Sequence, residues 1–237
     1  MTLLSIANAV ADETHGPRPA TIAANTSPDA QNIFRLTNRV GTFIMRLYRW
    51  NILTKEQTFT SVATEEQTSA IPTDFDRFIP ETFWDRGTTK LLSGPISPVE
   101  WQGLKASGYE GTQRKFRHRG GSILTVPTLE AGSTMAFEYV SKNWAQNASL
   151  TAQASMTADT DTALIDEELI IRGVKFQWLL MAGQPTAGAA KQEFDDLFTT
   201  LVDNDRARDG ILVAGDIFSQ DGRHFDGVPS ANQWSTY

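Results

Sequence analysis

The sequence contains no cysteine and only three histidines. The absence of cysteine excludes disulfides, thiol nucleophiles, iron–sulfur clusters and cysteine-based zinc sites together, so the fold must rest on packing and hydrogen bonds. The histidines are His15, His118 and His224. They fall in predicted loops or strands and lack the helical spacing of metal ligands, and loop histidines are more often solvated than catalytic.

Positive charge and long apolar runs are also scarce. The chain has 21 Lys and Arg against 28 Asp and Glu, a net charge of -7. Such a chain is a poor general binder of nucleic acid, because affinity for phosphates comes mainly from Lys and Arg. No apolar run approaches a membrane span, so we predict no membrane association. Residues 1–11 lack a basic n-region and indicate a short amphipathic helix rather than a signal peptide.

Recognisable catalytic motifs are missing as well. The nucleophile-elbow, zinc-protease and phosphate-loop patterns do not occur. Acidic pairs such as Asp74 with Asp76 and Asp159 with Asp161 are present, but adjacency alone does not place two carboxylates in one cleft with separated pKa values. Solvated loops and helix caps explain these pairs more simply. We therefore predict no enzymatic activity, no cofactor and no metal.

The sequence does contain enough apolar residues for a core, being 40% hydrophobic and 10% aromatic over 237 residues. Ser27-Pro28-Asp29 predicts the start of a helix. That helix should run to about residue 50. Its apolar stripe should be formed by Ile33, Leu36, Val40, Phe43 and Leu47.

A Thr-rich alternating stretch at 54–62 then predicts a strand, with 66–71 pairing to it across a short turn. Ser97-Pro98-Val99-Glu100 predicts a capped helix. Further strands are predicted at 113–119, 122–127 and 134–141, with Gly120-Gly121 as a hairpin turn.

Helical spacing returns after a bland stretch. Residues 145–162 are rich in Ala, Ser, Thr, Gln and Asp and predict a linker. Two apolar rows from Leu169 to Met181 predict a helix buried on two sides, which Gly183-Gln184-Pro185 should end. One more helix should follow, carrying Ala190 and Phe194.

The order of helices, strands and helices predicts an α+β fold. We expect a helical bundle from residues 1–53 and 163–209, a β-rich insertion at 54–144, a linker at 145–162 and an extended C-terminal tail at 210–237.

Two segments are candidate partner-binding sites. In the first, Arg114, Lys115, Arg117 and Arg119 belong to a basic run, in which residues 115, 117 and 119 should share one face of a strand. It would suit a phosphate or an acidic protein, although no second basic stripe accompanies it and a solvated, charge-protected edge is the simpler interpretation.

The second segment is the tail, whose sparse apolar anchors suit a segment that orders on a partner. The anchors are Ile211, Leu212, Val213, Ile217 and Phe218.

An ordered set of five motifs runs through the chain. The motifs are a helix end with an aromatic-Arg-Trp stretch, a Pro-acid-Phe-acid-Arg turn, a Pro-rich capped helix with a Trp, a strand ending before a further Trp, and an acidic helix start. They correspond to Leu47-Tyr48-Arg49-Trp50, Pro72-Thr73-Asp74-Phe75-Asp76-Arg77, Gly94 to Trp101, Phe137-Glu138-Tyr139-Val140-Ser141 with Trp144, and Asp166-Glu167-Glu168-Leu169-Ile170.

This ordered set resembles the podovirus-type head-to-tail adaptors related to the tail tubular A proteins, and the resemblance spans roughly residues 28–205. It implies a structural protein of the virion, in a ring of twelve copies between the portal protein and the tail nozzle. It also implies assembly in the host cytoplasm, and DNA passing through the lumen during genome ejection without specific binding.

Three other functions remain open. A tail or fibre module that binds host surface glycan would need exposed aromatics in the insertion. An enzyme such as a glycan hydrolase would use Asp74 and Asp76. A nucleic-acid-binding module would depend on the basic run at 114–119.

Overall fold

The computed structural model describes residues 1–68 and 70–210, with only the backbone of 207–210. These residues form a mixed α+β structure with five α-helices and three antiparallel sheets, which confirms the predicted α+β class. The helices are Leu3–Glu13 (α1), Pro28–Leu47 (α2), Pro98–Ala106 (α3), Glu167–Met181 (α4) and Ala187–Gly210 (α5). Residues 1–198 form one compact unit.

The strands are short and concentrated between α2 and α4. They are Thr54–Thr60 (β1), Glu66–Gln67 (β2), Phe75–Phe78 (β3), Trp84–Asp85 (β4), Lys90–Leu91 (β5), Lys115–Arg119 (β6), Ser122–Val126 (β7), Thr134–Ser141 (β8), Ala145–Gln146 (β9), Ala152–Gln153 (β10) and Thr162–Ala163 (β11).

Helix α2 begins where the sequence predicted. The Ser27 hydroxyl accepts a hydrogen bond from the Ala30 amide at 3.3 Å, with Pro28 at the first helical position. The predicted apolar stripe is wrong at its end, because Ile44 is buried while Phe43 and Leu47 are 52% and 45% exposed. Val40 and Ile44 are four residues apart and share the buried face, whereas Phe43 lies at the margin of that face and Leu47 is the last residue of the helix.

Helices α1, α2 and α4 pack on one another. Gly173 permits the close packing of α4 on α2, and Gly41 permits Trp144 to pack on α2. A Cβ atom at Gly173 would lie 2.6 Å from the Val40 side chain, and one at Gly41 would lie 2.4 Å from the Trp144 ring. The first half of α4 is buried, but Leu180 and Met181 are exposed, so the prediction of two buried sides is wrong for its last turn.

Two of the three sheets enclose an aromatic core. In one sheet the strand order is β1-β8-β4-β5, with β3 also paired to β8; in the other it is β2-β7-β6. The buried residues between them are Ala70, Phe83, Leu92, Phe116, Ile123, Leu129, Met135, Phe137 and Tyr139. On the other side of the smaller sheet, Trp101 of α3 packs with Leu124 and Val126.

The predicted pairing of 66–71 with 54–62 is wrong. Strand β1 pairs with β8 along its whole length, and β2 pairs with β7. The buried side chain of Gln67 instead holds the intervening loop, accepting from the Val62 amide at 2.9 Å and donating to the Val62 carbonyl at 2.8 Å. The pairing of β1 with β8 joins segments far apart in sequence, so the spacing of residues within each segment did not predict it.

The local hairpin and cap signals were correct. Strands β6 and β7 pair as a hairpin across Gly120-Gly121, whose φ angles of 60° and 85° suit glycine. The Ser97 hydroxyl accepts from the Glu100 amide at 3.1 Å and starts α3. Gly183, with φ 65°, follows the end of α4.

Residues 145–162, predicted as a linker, carry ordered structure. Strands β9 and β10 belong to a three-stranded sheet with β11, and Met156 is buried. The Asn38 side chain of α2 bonds both backbone groups of Met156, at 2.7 and 3.0 Å. The Leu3 amide donates to the Asp161 carbonyl at 2.8 Å. Polar side chains of this stretch also bond to backbone, since Asn147 Oδ1 accepts from the amides of Ser149 and Thr151, both at 2.9 Å.

Candidate partner-binding surfaces

The basic run lies on β6, at the edge of the smaller sheet. Residues alternate as predicted: Phe116 is buried in the aromatic core, whereas Lys115 and Arg117 share the other face. His118 is exposed, and its ring lies 5.3 Å from that of Phe75. The basic face therefore points away from the aromatic core.

The Arg114 guanidinium is bound inside the chain. Its NH1 lies 2.5 Å from the Asp85 carboxylate, and the two side chains are 13% and 0% exposed. Asp85 Oδ1 also accepts from the amides of Gly87 and Thr88, at 3.0 and 3.1 Å. Burial by itself would raise the pKa of the Asp85 carboxyl, but hydrogen bonds from Thr88 and the charge of Arg114 outweigh it and lower that pKa. This geometry favours a structural role for Arg114.

Lys115 also has a partner in its own chain. Its Nζ lies 2.7 Å from the Glu100 carboxylate of α3, and this hydrogen bond raises the pKa of Lys115. The pair joins the sheet to the helix that covers it. Surface pairs of this kind contribute little stability, so Lys115 remains accessible to competition from an acidic partner.

Arg117 and Arg119 have no carboxylate partner in the part of the chain that the structure describes. Arg117 is half-buried and Arg119 is exposed. Strand β6 is the last strand of its sheet. On its open side the backbone of Phe116 bonds to Ser93 and Ile96, but these backbone hydrogen bonds do not continue to Arg117. We call Arg117–Arg119 the basic edge.

A second basic row, which the sequence analysis missed, runs along α2. Arg35, Arg39 and Arg46 are exposed, and their spacing places them on one side of the helix, opposite the buried face. None has a carboxylate partner within residues 1–68 and 70–206. The signal was available, because all three arginines of this helix avoid its apolar stripe.

The tail anchors Ile211, Leu212, Val213, Ile217 and Phe218 lie outside the described residues. Their predicted partner contact stays a prediction.

The carboxylates suggested for acid–base chemistry are engaged in structural contacts. Asp74 accepts hydrogen bonds from Lys55, Tyr139 and Ser141 at 2.7, 2.9 and 2.8 Å. Burial opposes ionisation, but these donors outweigh it and lower the pKa of Asp74, while burial and Asp74 raise the pKa of Tyr139. Asp76 pairs instead with Arg77 at 2.7 Å. The two acids thus have separate partners.

Asp159 and Asp161 hold loops together. Asp159 accepts from the amides of Ile22 and Ala23 at 3.0 and 2.7 Å. Asp161 is buried, which opposes ionisation, but the amides of Thr157 and Ala158 and the Gln153 side chain lower its pKa. No group of three His, Asp or Glu side chains suited to a metal occurs among the described residues.

A groove on the outer face of the larger sheet was not foreseen. It encloses about 420 Å³ around Trp84, which is 43% exposed, and its charged lining comprises Glu56, Glu81, Asp85, Arg86 and Glu138. We call it the Trp84 groove. The neighbouring Phe83 is buried, because successive strand residues face opposite sides.

No protein-family model matches the chain, and a search of curated proteins finds no match. Among the helices of residues 1–68 and 70–210, none combines the length and apolar character that a membrane span requires.

Proposed function

We propose that this chain is a structural head-to-tail adaptor of a tailed phage virion, forming a ring that joins the portal protein to the tail nozzle. In this proposal, twelve copies surround a lumen through which DNA passes without specific binding. The net charge of -7 is compatible with such a lumen, since a DNA channel should not hold phosphates.

The observation that carries the proposal is that three of the resembling motifs, far apart in sequence, contact each other or a common neighbour. Arg77 of the turn motif donates to the Tyr48 carbonyl of the helix-end motif at 2.8 Å. Asp74 of the same turn accepts from Tyr139 and Ser141 of the strand motif. Motifs that meet in one junction depend on one another for their geometry, so their joint occurrence supports the resemblance more than any single motif.

The same junction supports the finer architecture that we propose. The Trp50 indole donates to the Ile44 carbonyl at 2.9 Å, which fixes the chain as it leaves α2 for β1. The Trp144 ring packs over Gly41 where the chain returns from β8. The chain is therefore held in place both where it enters the β-rich segment and where it leaves it. A helical bundle with a β-rich insertion at 54–144 accounts for both contacts.

We also propose that the protein is not an enzyme. The acidic pair Asp74 and Asp76 supports this, because a carboxylate held by three donors and another paired to Arg77 are poorly suited to exchange protons with a substrate.

The proposal is tested by binding to the portal and nozzle proteins of the same genome. We expect the purified chain to be captured by both and to form rings visible by electron microscopy. A chain lacking residues 211–237 should stay folded but lose the portal, if the tail anchors bind there. Failure of the full chain to bind either protein would contradict the proposal.

A second function, binding of host glycan by a tail or fibre module, is favoured by one observation. Trp84 is exposed in a groove whose lining includes Glu81, Thr82 and Arg86, and an aromatic face beside polar groups suits a sugar ring. A glycan array would show binding that Trp84→Ala abolishes; an empty array would remove this candidate.

A further inference from the structure

The Trp84 groove concentrates negative charge around an exposed aromatic face. Glu56 of β1 lies directly opposite Glu138 of β8, and like charges in this arrangement destabilise a sheet. Arg86 is the only cation lining the groove, and it pairs with Glu56 at 2.6 Å. Glu138 has no cationic partner in the described part of the chain, so the groove offers unneutralised carboxylates beside Trp84.

Glu81 adds a third exposed carboxylate to the same groove. Its φ of 63° lies in the left-handed region, which costs free energy for a residue other than glycine. No cation within residues 1–68 and 70–206 pairs with it. Glu81 is therefore a further unneutralised carboxylate in the Trp84 groove.

The basic edge has the opposite charge and faces the opposite way. Trp84 pairs with Ala136, on the side of β8 away from the aromatic core. Arg117 pairs with Leu124, on the side of β7 away from that same core. Because the aromatic core lies between the two sheets, the Trp84 groove lies on the outer face of the larger sheet and the basic edge on the outer face of the smaller one. The two surfaces therefore face in opposite directions.

We propose that the basic edge of one copy of this chain binds the Trp84 groove of a second copy. One guanidinium stacks on the Trp84 ring, and the guanidinium groups pair with the carboxylates of Glu81 and Glu138. Trp is the best aromatic partner for a cation, and Arg suits both stacking and carboxylate pairing.

The choice of a second copy as occupant follows from charge. The groove repels nucleic acid, and a chain of net charge -7 repels itself over most of its surface. The basic edge is one of the few places where a copy can approach the groove favourably. Electrostatic matching of this kind sets partner choice and register more than raw affinity.

The two surfaces differ, so the contact is head-to-tail. Such a contact can repeat from copy to copy, closing into a ring or continuing as a filament according to the rotation per step. The inference rests on the proposed function in that a ring is the assembly expected there, and it assigns the surfaces that make the contact.

The test uses two charge-reversal variants of the full chain and sedimentation velocity at low and physiological salt. The edge variant is Arg117→Glu with Arg119→Glu, and the groove variant is Glu81→Lys with Glu138→Lys. Each alone should self-associate at least about tenfold more weakly than the wild type, because two or more favourable pairs become repulsive. An equimolar mixture should regain association, since every edge then meets a groove of opposite charge.

The matched control is Arg35→Glu with Arg39→Glu, which changes the net charge as the edge variant does but on α2. It should associate like the wild type. Circular dichroism of each variant checks folding. The inference is overturned if the folded edge variant associates as the wild type does, if the mixture fails to recover, or if the wild type stays monomeric both alone and with the portal protein.

Portal binding measured in parallel separates this inference from the proposed function. Edge and groove variants that bind the portal but self-associate like the wild type would leave the adaptor function intact and remove only the assigned surfaces. Loss of oligosaccharide binding in Trp84→Ala, with unchanged self-association, would assign the groove to sugar instead.

Discussion

Replacing Arg114 tests whether this residue of the basic run stabilises the fold, in contrast to Arg117 and Arg119, which are available for binding. Replacing it with Ala leaves the Asp85 carboxylate, which is 0% exposed, without its cation. Removing one partner of a buried pair costs about 3–5 kcal/mol. Because Arg114 is itself 13% exposed and the amides of Gly87 and Thr88 still bind Asp85, we expect the lower end, about 3 kcal/mol.

The assay is urea unfolding followed by far-ultraviolet circular dichroism at neutral pH, with Arg117→Ala as the control. Arg117 has no ionic partner among the described residues, so its loss should change the free energy of unfolding by no more than about 0.5 kcal/mol. In an Asp85→Asn background, which keeps an acceptor for the two amides, Arg114→Ala should cost much less, because the charge it neutralises is gone.

The pH dependence has a definite sign. The pKa of Asp85 is lowered in the folded state, so its contribution to stability is present above the unfolded value of about 4 and is lost as pH falls through the folded pKa. The stability difference between wild type and Asp85→Asn should therefore narrow only in acid. If Arg114→Ala is as stable as Arg117→Ala, or if Asp85→Asn leaves the cost of Arg114→Ala unchanged, the structural role assigned to Arg114 is wrong.

Three further predictions concern other parts of the chain. Gly41→Ala places a Cβ 2.4 Å from the Trp144 ring and should lower the free energy of unfolding by about 1–3 kcal/mol or more, whereas Gly103→Ala, with nothing within 4 Å, should be neutral or stabilising; equal effects in thermal melts would contradict the close packing. Asp161→Ala should increase amide exchange at 157–158, since those amides lose their acceptor, and unchanged exchange would refute this. Removing residues 211–237 should leave the helical circular dichroism signal largely intact while reducing portal capture, and full capture would exclude the tail anchors.

Local signals in the sequence were sufficient for the starts of helices. Ser27 and Ser97 each cap a helix through an amide three residues away, so the whole interaction lies within one short motif. The β6–β7 hairpin was equally accessible, because Gly120-Gly121 specifies the turn and the turn specifies the register. The α+β class followed from the order of these local elements.

Local patterns in the sequence were therefore enough to predict the order of the helices, the α2 and α3 caps and the alternation of β6. Three features became visible only in the folded chain: β1 pairs with β8, Trp84 is exposed beside Glu138, and Arg114 is bound to Asp85 while Arg117 is not. These features differ from the caps and turns in the sequence separation of the residues involved. A cap or a turn forms within a few residues, whereas strand pairing and ion pairing depend on distant segments that burial of a shared core brings together.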